Sequence, residues 1–468
     1  MFFKLAVSRS ILLITSVLLL FSFCVPLEAD TLGSNHSSVI SVSSTDSLQM
    51  MINLAEKNTT LELASGVYQG NFLINKSVSL RCQQGAELNG NGQNDIIRIT
   101  APNVIIEGCR IIDWGDDLTA MNAGVVIERT AKNVTIKTNY FKGPTFGVFL
   151  DASINSKVYA NRIEGIPGIR SQDRGNGIHL YASTGADIAF NEVWHTRDGI
   201  YIDTSNENTI RSNEFHHLRY GIHYMFSHHN RVLKNYTHHT RSGYALMQSK
   251  YLTVEDNRSD QDQNYGILMN YITYSTIRNN QISYVQQGSN PMGGEKIKGA
   301  EGKGLFLYNS LFNDVSNNTI ENSDLGIHLT AGSEDNTISK NNFINNKQQV
   351  KYVANRIQEW SSSGIGNFWS DYLGWDRDAD GIGDTIYEPN DSVDKLLWSY
   401  PSAKLLLNSP AVETLRWIQK DFPVLKSPGV TDSYPLMQAS QQKGSDVSTD
   451  SLVAETEIIS PSVIGEIE

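Results

Sequence analysis

Thioether and imidazole side chains, which are soft or borderline metal ligands, are concentrated in one short segment. Residues 221–230, "GIHYMFSHHN", hold three histidines and Met225, although the whole chain of 468 residues has 11 histidines and nine methionines. Met247 follows Met225 by 22 residues. Thioether sulfur together with imidazole selects Cu(I) over zinc or calcium. If the fold brings His223, Met225 and Met247 to one surface, the sequence predicts a Cu(I) site there.

A second group of imidazoles follows the same interval. His195, His217 and His239 recur every 22 residues, and so do His216 and His238. A fold that stacks residues 22 apart would line these rings along one edge, which makes His195, His217 and His239 a second copper candidate. The alternative is a polar stack on a solvated turn, because repeats also duplicate residues that have no function. The sequence leaves both interpretations open.

An acidic segment further along the chain resembles a calcium-binding loop. In "DRDADGIGD" four carboxylates fall at loop positions one, three, five and nine, namely Asp376, Asp378, Asp380 and Asp384. Gly381 falls at the sharp turn, but position twelve is Tyr387, and Glu388 comes one residue late. Four nearby carboxylates repel one another unless a cation is bound. The sequence therefore predicts either a loose calcium site or a purely structural turn.

A repeat that runs through the middle of the chain indicates how these residues are positioned. One four-residue pattern recurs: a glycine, an apolar residue, any residue and a second apolar residue. It begins at positions 124, 147, 177, 199, 221, 243, 266, 304 and 326, mostly in steps of 22 or 23 residues. A β-branched residue three positions before an asparagine keeps the same spacing, from Asn139 to Asn341. Two independent markers in one register indicate a structural repeat.

Each repeat contains short alternating strands and no helical period, which predicts one coil of a right-handed parallel β-helix. Alternation sends Ile222 and Tyr224 inward and His223 and Met225 outward. Successive coils lie ~4.8 Å apart, so Met225 and Met247 stack. Met269 lies one residue off this register and is expected to point inward. The recurring asparagines are expected to stack at a turn and to bond the backbone of their neighbours.

The two ends of the chain have different compositions from the repeat. Residues 1–29 carry Lys4 and Arg9 before an apolar run and are typical of a secretory signal peptide. We expect an N-terminal cap at 30–60, the β-helix at 61–350, an acidic loop with a helical docking region at 351–437, and a disordered tail at 438–468.

Charge and cysteine content limit the function classes. The chain has 38 Lys and Arg residues and 50 Asp and Glu residues. Residues 1–29 contain two of the basic residues and one of the acidic residues, so 36 basic and 49 acidic residues remain after their removal. This acidic balance argues against a nucleic-acid partner. Only Cys82 and Cys109 remain beyond residue 29. One disulfide can form in an oxidising compartment, but a disulfide scaffold is excluded.

Two short helices are predicted between the acidic loop and the tail. The segments are "VDKLLWSYPSAKLLLNS" and "SPAVETLRWIQKDF". Ser409 is the expected N-cap of the second helix, with Pro410 at its first position. The two helices contain more apolar side chains than they can bury between themselves, including Trp398, Leu405, Leu406 and Trp417. Some should cap the last coil, and the rest are available to dock a partner.

A rival interpretation is a carbohydrate-active enzyme, because lyases, hydrolases and epimerases also use parallel β-helices. Acid and base could be supplied by Asp173 with Arg174, or by Asp198 with Asp203. Sugar rings could stack on exposed aromatic side chains, namely Tyr201, Phe306 and Tyr308. The ordinary explanation for each of these residues is a solvated surface position.

The chain resembles the NosD family over nearly its whole length after residue 29. The resemblance rests on the 22-residue coils with their His and Met cluster, and above all on "GNFWSDYLGWDRDADGIGD" and "AKLLLNSPAVETLRW". It implies a periplasmic, non-catalytic subunit of an ABC transporter complex, held at the inner membrane by a membrane subunit whose ATPase partner supplies ATP hydrolysis. It also implies that Cu(I) arrives from a membrane-anchored copper chaperone and is delivered for the copper clusters of nitrous oxide reductase. A pure assembly platform without its own metal remains a further alternative.

Overall fold

The computed structural model describes residues 38–287, 302–330, 332–353, 356–390, 409–421 and 429–440. The predicted signal peptide, the first of the two predicted C-terminal helices with Trp398, Leu405 and Leu406, and residues 441–468 of the predicted tail lie outside the described residues.

Within the described residues, nearly all strands belong to three long parallel sheets. Sheet 1 consists of Val39–Val42, Thr60–Leu63, Ser79–Cys82, Ile105–Glu107, Thr135–Lys137, Lys157–Tyr159, Asp187–Ala189, Thr209–Arg211, Arg231–Leu233, Thr253–Glu255, Thr276–Arg278, Asp314–Ser316 and Thr337–Ser339. Sheet 2 consists of Phe72–Ile74, Ile97–Ile99, Ala123–Ile127, Phe146–Asp151, Ile178–Tyr181, Asp198–Asp203, Tyr220–Met225, Ser242–Met247, Tyr265–Asn270, Lys303–Tyr308, Leu325–Thr330 and Val350–Val353. Sheet 3 consists of Gly66–Gln69, Ala86–Asn89, Arg110–Ile112, Tyr140–Lys142, Arg162–Glu164, Glu192–Trp194, Glu214–His216, Tyr236–His238, Arg258–Asp260, Gln281–Ser283, Thr319–Glu321, Asn342–Ile344 and Phe368–Trp369.

Each coil adds one strand to every sheet, so the right-handed parallel β-helix predicted from the repeat is confirmed. Neighbouring strands pair with a 22-residue offset in the regular region, as in Ile210 beside Val232. The central residue of these three-residue strands points inward, and Ile210, Val232 and Val254 are completely buried. Continuous apolar rows of this kind form one long core, because each coil can bury its inward face only against its neighbours.

The recurring asparagines form the predicted ladder inside one turn of the coil. Asn235 is typical: its Oδ1 accepts the backbone N–H of Asn213 at 3.1 Å and the Nδ2 of Asn213 at 2.9 Å. Its own Nδ2 donates to the carbonyl oxygen of Ile210 at 3.0 Å. Both asparagines are buried. The ladder thus supplies partners for buried backbone groups at a turn, where no sheet bond can satisfy them.

The asparagine ladder ends on an aspartate from the C-terminal segment. Asp432 is completely buried and its Oδ2 accepts the backbone N–H of Asn367 at 2.7 Å and the indole N–H of Trp369 at 2.8 Å. Its segment also adds Val430–Thr431 beside Gln358–Glu359 in a small parallel sheet. The third sheet therefore continues to Trp369, beyond the expected end of the β-helix at residue 350.

The N-terminal end is covered by helix α1, Leu48–Leu54. Ser47 caps it by accepting the backbone N–H of Met50 at 3.4 Å, and Leu48 and Ile52 are buried beneath it. Val39–Val42, which precede α1, already pair with Thr60–Leu63 in sheet 1. Cys82 and Cys109 form a disulfide between neighbouring parts of the first coils, so the single bridge allowed by the sequence is present.

Helix α2, Pro410–Asp421, is the second predicted C-terminal helix. Ser409 caps it as expected, since its Oγ accepts the backbone N–H of Val412 at 3.4 Å. Val412 is buried, whereas Leu415 and Trp417 are exposed. In the described part of the chain, no helix is both long and apolar enough to cross a bilayer. Within the predicted tail, Ser440 donates its backbone N–H to Asn342 at 2.9 Å, so ordered contacts extend at least that far.

Candidate metal centre

The outer face of sheet 2 carries His223, Met225 and Met247. Ile222 and Tyr224 point inward and are completely buried, as alternation predicts, whereas Met225 and Met247 are half-buried on the outer face. The strand Tyr220–Met225 pairs with Ser242–Met247 at an offset of 22, which aligns Met225 with Met247. Both methionines thus lie in one outward row.

The small residue Ala245 follows His223 in the row of outward side chains. Its side chain is a single methyl group and is completely buried. The next coil behaves differently: Met269 is completely buried and points inward, as its shifted register predicts. Because of this shift, Met247 pairs with Asn270 rather than with a third methionine.

A buried carboxylate fixes the orientation of His223. The Nδ1 of His223 lies 3.0 Å from Oδ2 of Asp198. Asp198 also accepts two hydrogen bonds from Arg219, at 2.8 Å from Nε and 2.6 Å from Nη2. Burial raises the pKa of Asp198, but the hydrogen bonds from His223 and Arg219 outweigh burial, so its pKa lies below the ordinary value. The carboxylate is therefore charged and acts as an acceptor.

The other ring nitrogen of His223, Nε2, has different surroundings from Nδ1. Because Asp198 accepts a hydrogen bond from Nδ1, the neutral imidazole has its lone pair on Nε2. The Nε2 atom is buried and has no hydrogen-bond partner among the described residues. A carboxylate that holds one nitrogen while the other is free is the arrangement that orients metal-bound histidines. Sequence reasoning named Asp198 only for the rival enzyme and missed this contact.

Aromatic rings surround His223 on its other sides. Its ring centroid lies 4.6 Å from that of Tyr201 and 5.0 Å from that of Tyr220. Tyr201 in turn contacts His179 at 4.9 Å. Burial lowers the pKa of His179 to about 4, so this imidazole is neutral at pH 7. These rings help to bury His223, whose exposed fraction is 8%.

The second copper candidate, His195, His217 and His239, forms the stacked row that the repeat predicts. Ring centroids are 5.6 Å apart from His195 to His217 and again from His217 to His239. Burial, together with the charges of neighbouring groups, lowers the pKa of His195 and of His217. His216 and His238 lie beside this row, with ring centroids 5.1 Å apart from His216 to His217 and from His238 to His239.

The acidic loop brings together three of its four candidate ligands. Asp376, Asp378 and Asp380 each offer one carboxylate oxygen within 4.8 Å of the others, the single such group among the described His, Cys, Asp and Glu residues. Asp384 is not in this group, and its Oδ2 accepts the backbone N–H of Arg377 at 2.7 Å. Asp376 likewise accepts the backbone N–H groups of Ala379, Asp380 and Gly381. The charge of Asp380 raises the pKa of Asp378, which is the repulsion expected of crowded carboxylates.

The residues proposed for the rival enzyme have other partners. Arg174 donates to three backbone carbonyl oxygens around its loop, where Ser171–Asp173 form a 3-10 helix. Asp173 pairs with Arg170 at 2.8 Å. Asp198 and Asp203 stand at opposite ends of one strand, about 16 Å apart at ~3.3 Å per residue. Paired carboxylates of glycosidases are closer, at about 5–9.5 Å.

Comparison with known proteins identifies the family. The family model described as "Periplasmic copper-binding protein (NosD)" matches residues 160–374, which include His223, Met225 and Met247 and end just before the acidic loop. A relative from Stutzerimonas stutzeri, named "Probable ABC transporter binding protein NosD", is 62% identical over 381 residues, or 81% of this chain and 87% of the relative. The chain belongs to the NosD family. A NosD relative from Pseudomonas aeruginosa of the same printed name is 63% identical over 376 residues, or 80% of this chain and 87% of the relative.

Membership of the NosD family supports a periplasmic, copper-binding class, and the relatives are named as binding proteins rather than enzymes. Solved structures share the fold alone. A family 28 exopolygalacturonase of Yersinia enterocolitica has a TM-score of 0.52 at 11% identity, with 67% of this chain and 76% of that chain covered. The adhesin PfbA of Streptococcus pneumoniae has a TM-score of 0.50 at 13% identity, with 70% and 93% covered.

Proposed function

We propose that this NosD-family chain binds Cu(I) at His223, Met225 and Met247 and passes it on for assembly of the copper clusters of nitrous oxide reductase. The observation that supports the site most is the buried Nε2 of His223, which has no hydrogen-bond partner among the described residues and belongs to the strand that ends at Met225. One imidazole and two thioethers are neutral ligands, and such a soft set favours Cu(I). Because both methionines are only half-buried, the ion can be received from one partner and released to another.

The partners follow from the same proposal. The printed names of the relatives refer to an ABC transporter, and we infer that this chain docks to the membrane subunit of such a transporter, whose ATPase partner hydrolyses ATP. A membrane-anchored copper chaperone would supply Cu(I) in the periplasm. This chain contributes metal ligands and binding surfaces rather than a catalytic site.

Anaerobic titration of the chain that begins at Asp30 with Cu(I) tests the proposal directly. We expect one tight site per chain that an equal concentration of Zn(II) does not occupy, because zinc has no preference for thioether sulfur. Absence of Cu(I) binding in the presence of a competing Cu(I) chelator would instead support an assembly platform that carries no metal.

Exposed apolar side chains on α2 are proposed to contact the membrane subunit. Trp417 has 60% of its surface exposed, and exposed aromatic side chains of this kind often anchor protein interfaces. Replacing Trp417 by alanine should weaken co-purification with the membrane subunit and leave the Cu(I) affinity unchanged. Trp375, which is exposed to a similar extent at 57%, gives a matched control in Trp375→Ala. Loss of the transporter in a Met225 variant, with Trp417→Ala still bound, would contradict this division of tasks.

A structural calcium ion between Asp376, Asp378 and Asp380 is a further part of the proposal. A cation would relieve the repulsion that raises the pKa of Asp378. Addition of a chelator should then lower the melting temperature by roughly 5 °C relative to calcium at 100 times its Kd. Asp378→Asn should remove this difference, whereas the exposed Asp335→Asn should keep it. An identical melting curve with and without calcium would reduce the loop to a structural turn.

A further inference from the structure

Four imidazoles pack closely on the turn that follows sheet 3, away from His223. His216 and His238 end the strands Glu214–His216 and Tyr236–His238. The next residues, His217 and His239, have φ angles of 55° and 53°. Consecutive residues of a strand point to opposite faces, but a residue in this left-handed conformation bends the chain at the end of the strand. The rings of each consecutive pair therefore lie on the same side.

The two rings of each pair approach through equivalent nitrogens. Nδ1 of His216 lies 2.8 Å from Nδ1 of His217, and Nδ1 of His238 lies 2.9 Å from Nδ1 of His239. The pairs also stack on each other. Ring centroids are 4.9 Å apart from His216 to His238 and 5.6 Å apart from His217 to His239. Four imidazoles thus form one compact group, here called the histidine quartet.

Neighbouring carboxylates determine where the lone pairs of the quartet lie. Nε2 of His216 is 3.5 Å from Oε1 of Glu192, and Nε2 of His238 is 3.2 Å from Oε1 of Glu214. A carboxylate accepts hydrogen bonds, so Nε2 carries the proton in both neutral rings and the lone pair lies on Nδ1. The Nδ1 lone pairs then point to the second ring of each pair. Carboxylates hold metal-binding histidines in the same way.

We propose that the histidine quartet binds a divalent cation of square geometry, Cu(II), through one of its imidazole pairs. Two nitrogens that bind one ion at about 2.0 Å and at about 90° lie about 2.8 Å apart, as observed for both pairs; a tetrahedral zinc site would separate them by about 3.3 Å. Two dications about 5 Å apart would repel each other, so one ion per quartet is expected. This site is separate from the proposed Cu(I) site, which depends on sulfur.

The remaining coordination positions are open to solvent or to a partner. His217 and His239 are exposed, so the ion can enter and leave from outside the coil. Glu192 and Glu214 offset part of its positive charge. Imidazole nitrogen is a borderline ligand that suits Cu(II), and Cu(II) has the highest affinity among the divalent first-row metals.

Titration of the untagged chain with Cu(II) tests the site, by calorimetry and by electron paramagnetic resonance. The variant is His217→Asn with His239→Asn, because asparagine tolerates the left-handed conformation and already occupies the same turn as Asn322 and Asn345. We expect the unchanged chain to bind one Cu(II) with hyperfine lines from nitrogen. The double variant should bind it more weakly by on the order of tenfold or more and lose those lines.

His229→Asn is the matched control, since His229 is also exposed and left-handed, with φ of 57°, and stacks on Tyr251. It should leave Cu(II) binding unchanged, and so should the leucine variants of Met225 and Met247. If the double variant binds Cu(II) as the unchanged chain does, or if His229→Asn loses as much affinity, the proposal is wrong and the short distances are hydrogen bonds between imidazoles. Failure of the Cu(I) proposal would be seen only in the Cu(I) titration, so the two outcomes are distinguishable.

Discussion

Replacing Met225 and Met247 together by leucine is expected to abolish tight Cu(I) binding and to leave the fold intact. The double change removes two of the three proposed ligands and leaves one imidazole, which holds Cu(I) too weakly to compete with a chelator. Leucine and methionine have similar volumes, so such exchanges usually cost less than about 1.5 kcal/mol. Anaerobic competition with a chromogenic Cu(I) chelator measures the affinity, and thermal unfolding measures the stability.

Met269→Leu provides a control within the same repeat. Met269 is completely buried in the next coil, so its replacement should leave Cu(I) binding unchanged even though it also removes a thioether. If the double variant of Met225 and Met247 binds Cu(I) like the unchanged chain, the site lies elsewhere. The row formed by His195, His217 and His239 would then be the next location to test.

Asp198→Asn is expected to lower both the stability and the Cu(I) affinity. Removal of one partner from a buried ion pair leaves Arg219 uncompensated, which typically costs about 3–5 kcal/mol. The amide can also present its NH₂ group to His223, and the imidazole then no longer holds its lone pair on Nε2. Loss of such an orienting group typically weakens metal binding by about 10–100-fold. Urea unfolding and Cu(I) competition measure the two effects separately.

Asp187→Asn is the matched control for this change. Asp187 also accepts two hydrogen bonds from one arginine, Arg211, at 3.0 and 2.9 Å, but its side chain is 31% exposed. Both partners of this ion pair reach solvent, unlike the fully buried carboxylate of Asp198, so this variant should lose less stability and retain its Cu(I) affinity. If Asp198→Asn loses stability but keeps the affinity of the unchanged chain, the carboxylate has only a structural role.

The direction in which each side chain points was predictable from the sequence. Two local periods, about two residues along a strand and 22 residues along the chain, were enough to send Tyr224 inward and Met225 outward. The same two periods predicted that Met269 faces the core, because Gly266 at the start of its pattern comes 23 rather than 22 residues after Gly243. Stacking of Asn213 on Asn235 was predictable for the same reason. These features depend on position within the repeat and on no distant contact.

The missed contacts depend on details that the repeat does not encode. Asp198 meets His223 because residues from neighbouring coils converge on the outer face, and the interval between them is 25 rather than 22 residues. The pairing of His216 with His217 requires a positive φ angle, which the residue type alone does not reveal. Asp384 was assigned by its place in a loop pattern, but its carboxylate accepts the backbone N–H of Arg377 and lies apart from the other three carboxylates.

The contact between Asp432 and Asn367 determines when the last coil of the β-helix can be completed during folding. A chain is synthesised from its N-terminus, and coils can pair in that order, but the last coil lacks its final acceptor until residue 432 has been added. A product that terminates earlier would leave Asn367 and the indole N–H of Trp369 without this partner. Such an unfinished end exposes apolar surface and strand edges, which proteases and chaperones recognise. Completion of the last coil therefore depends on a residue more than 60 positions further along the chain.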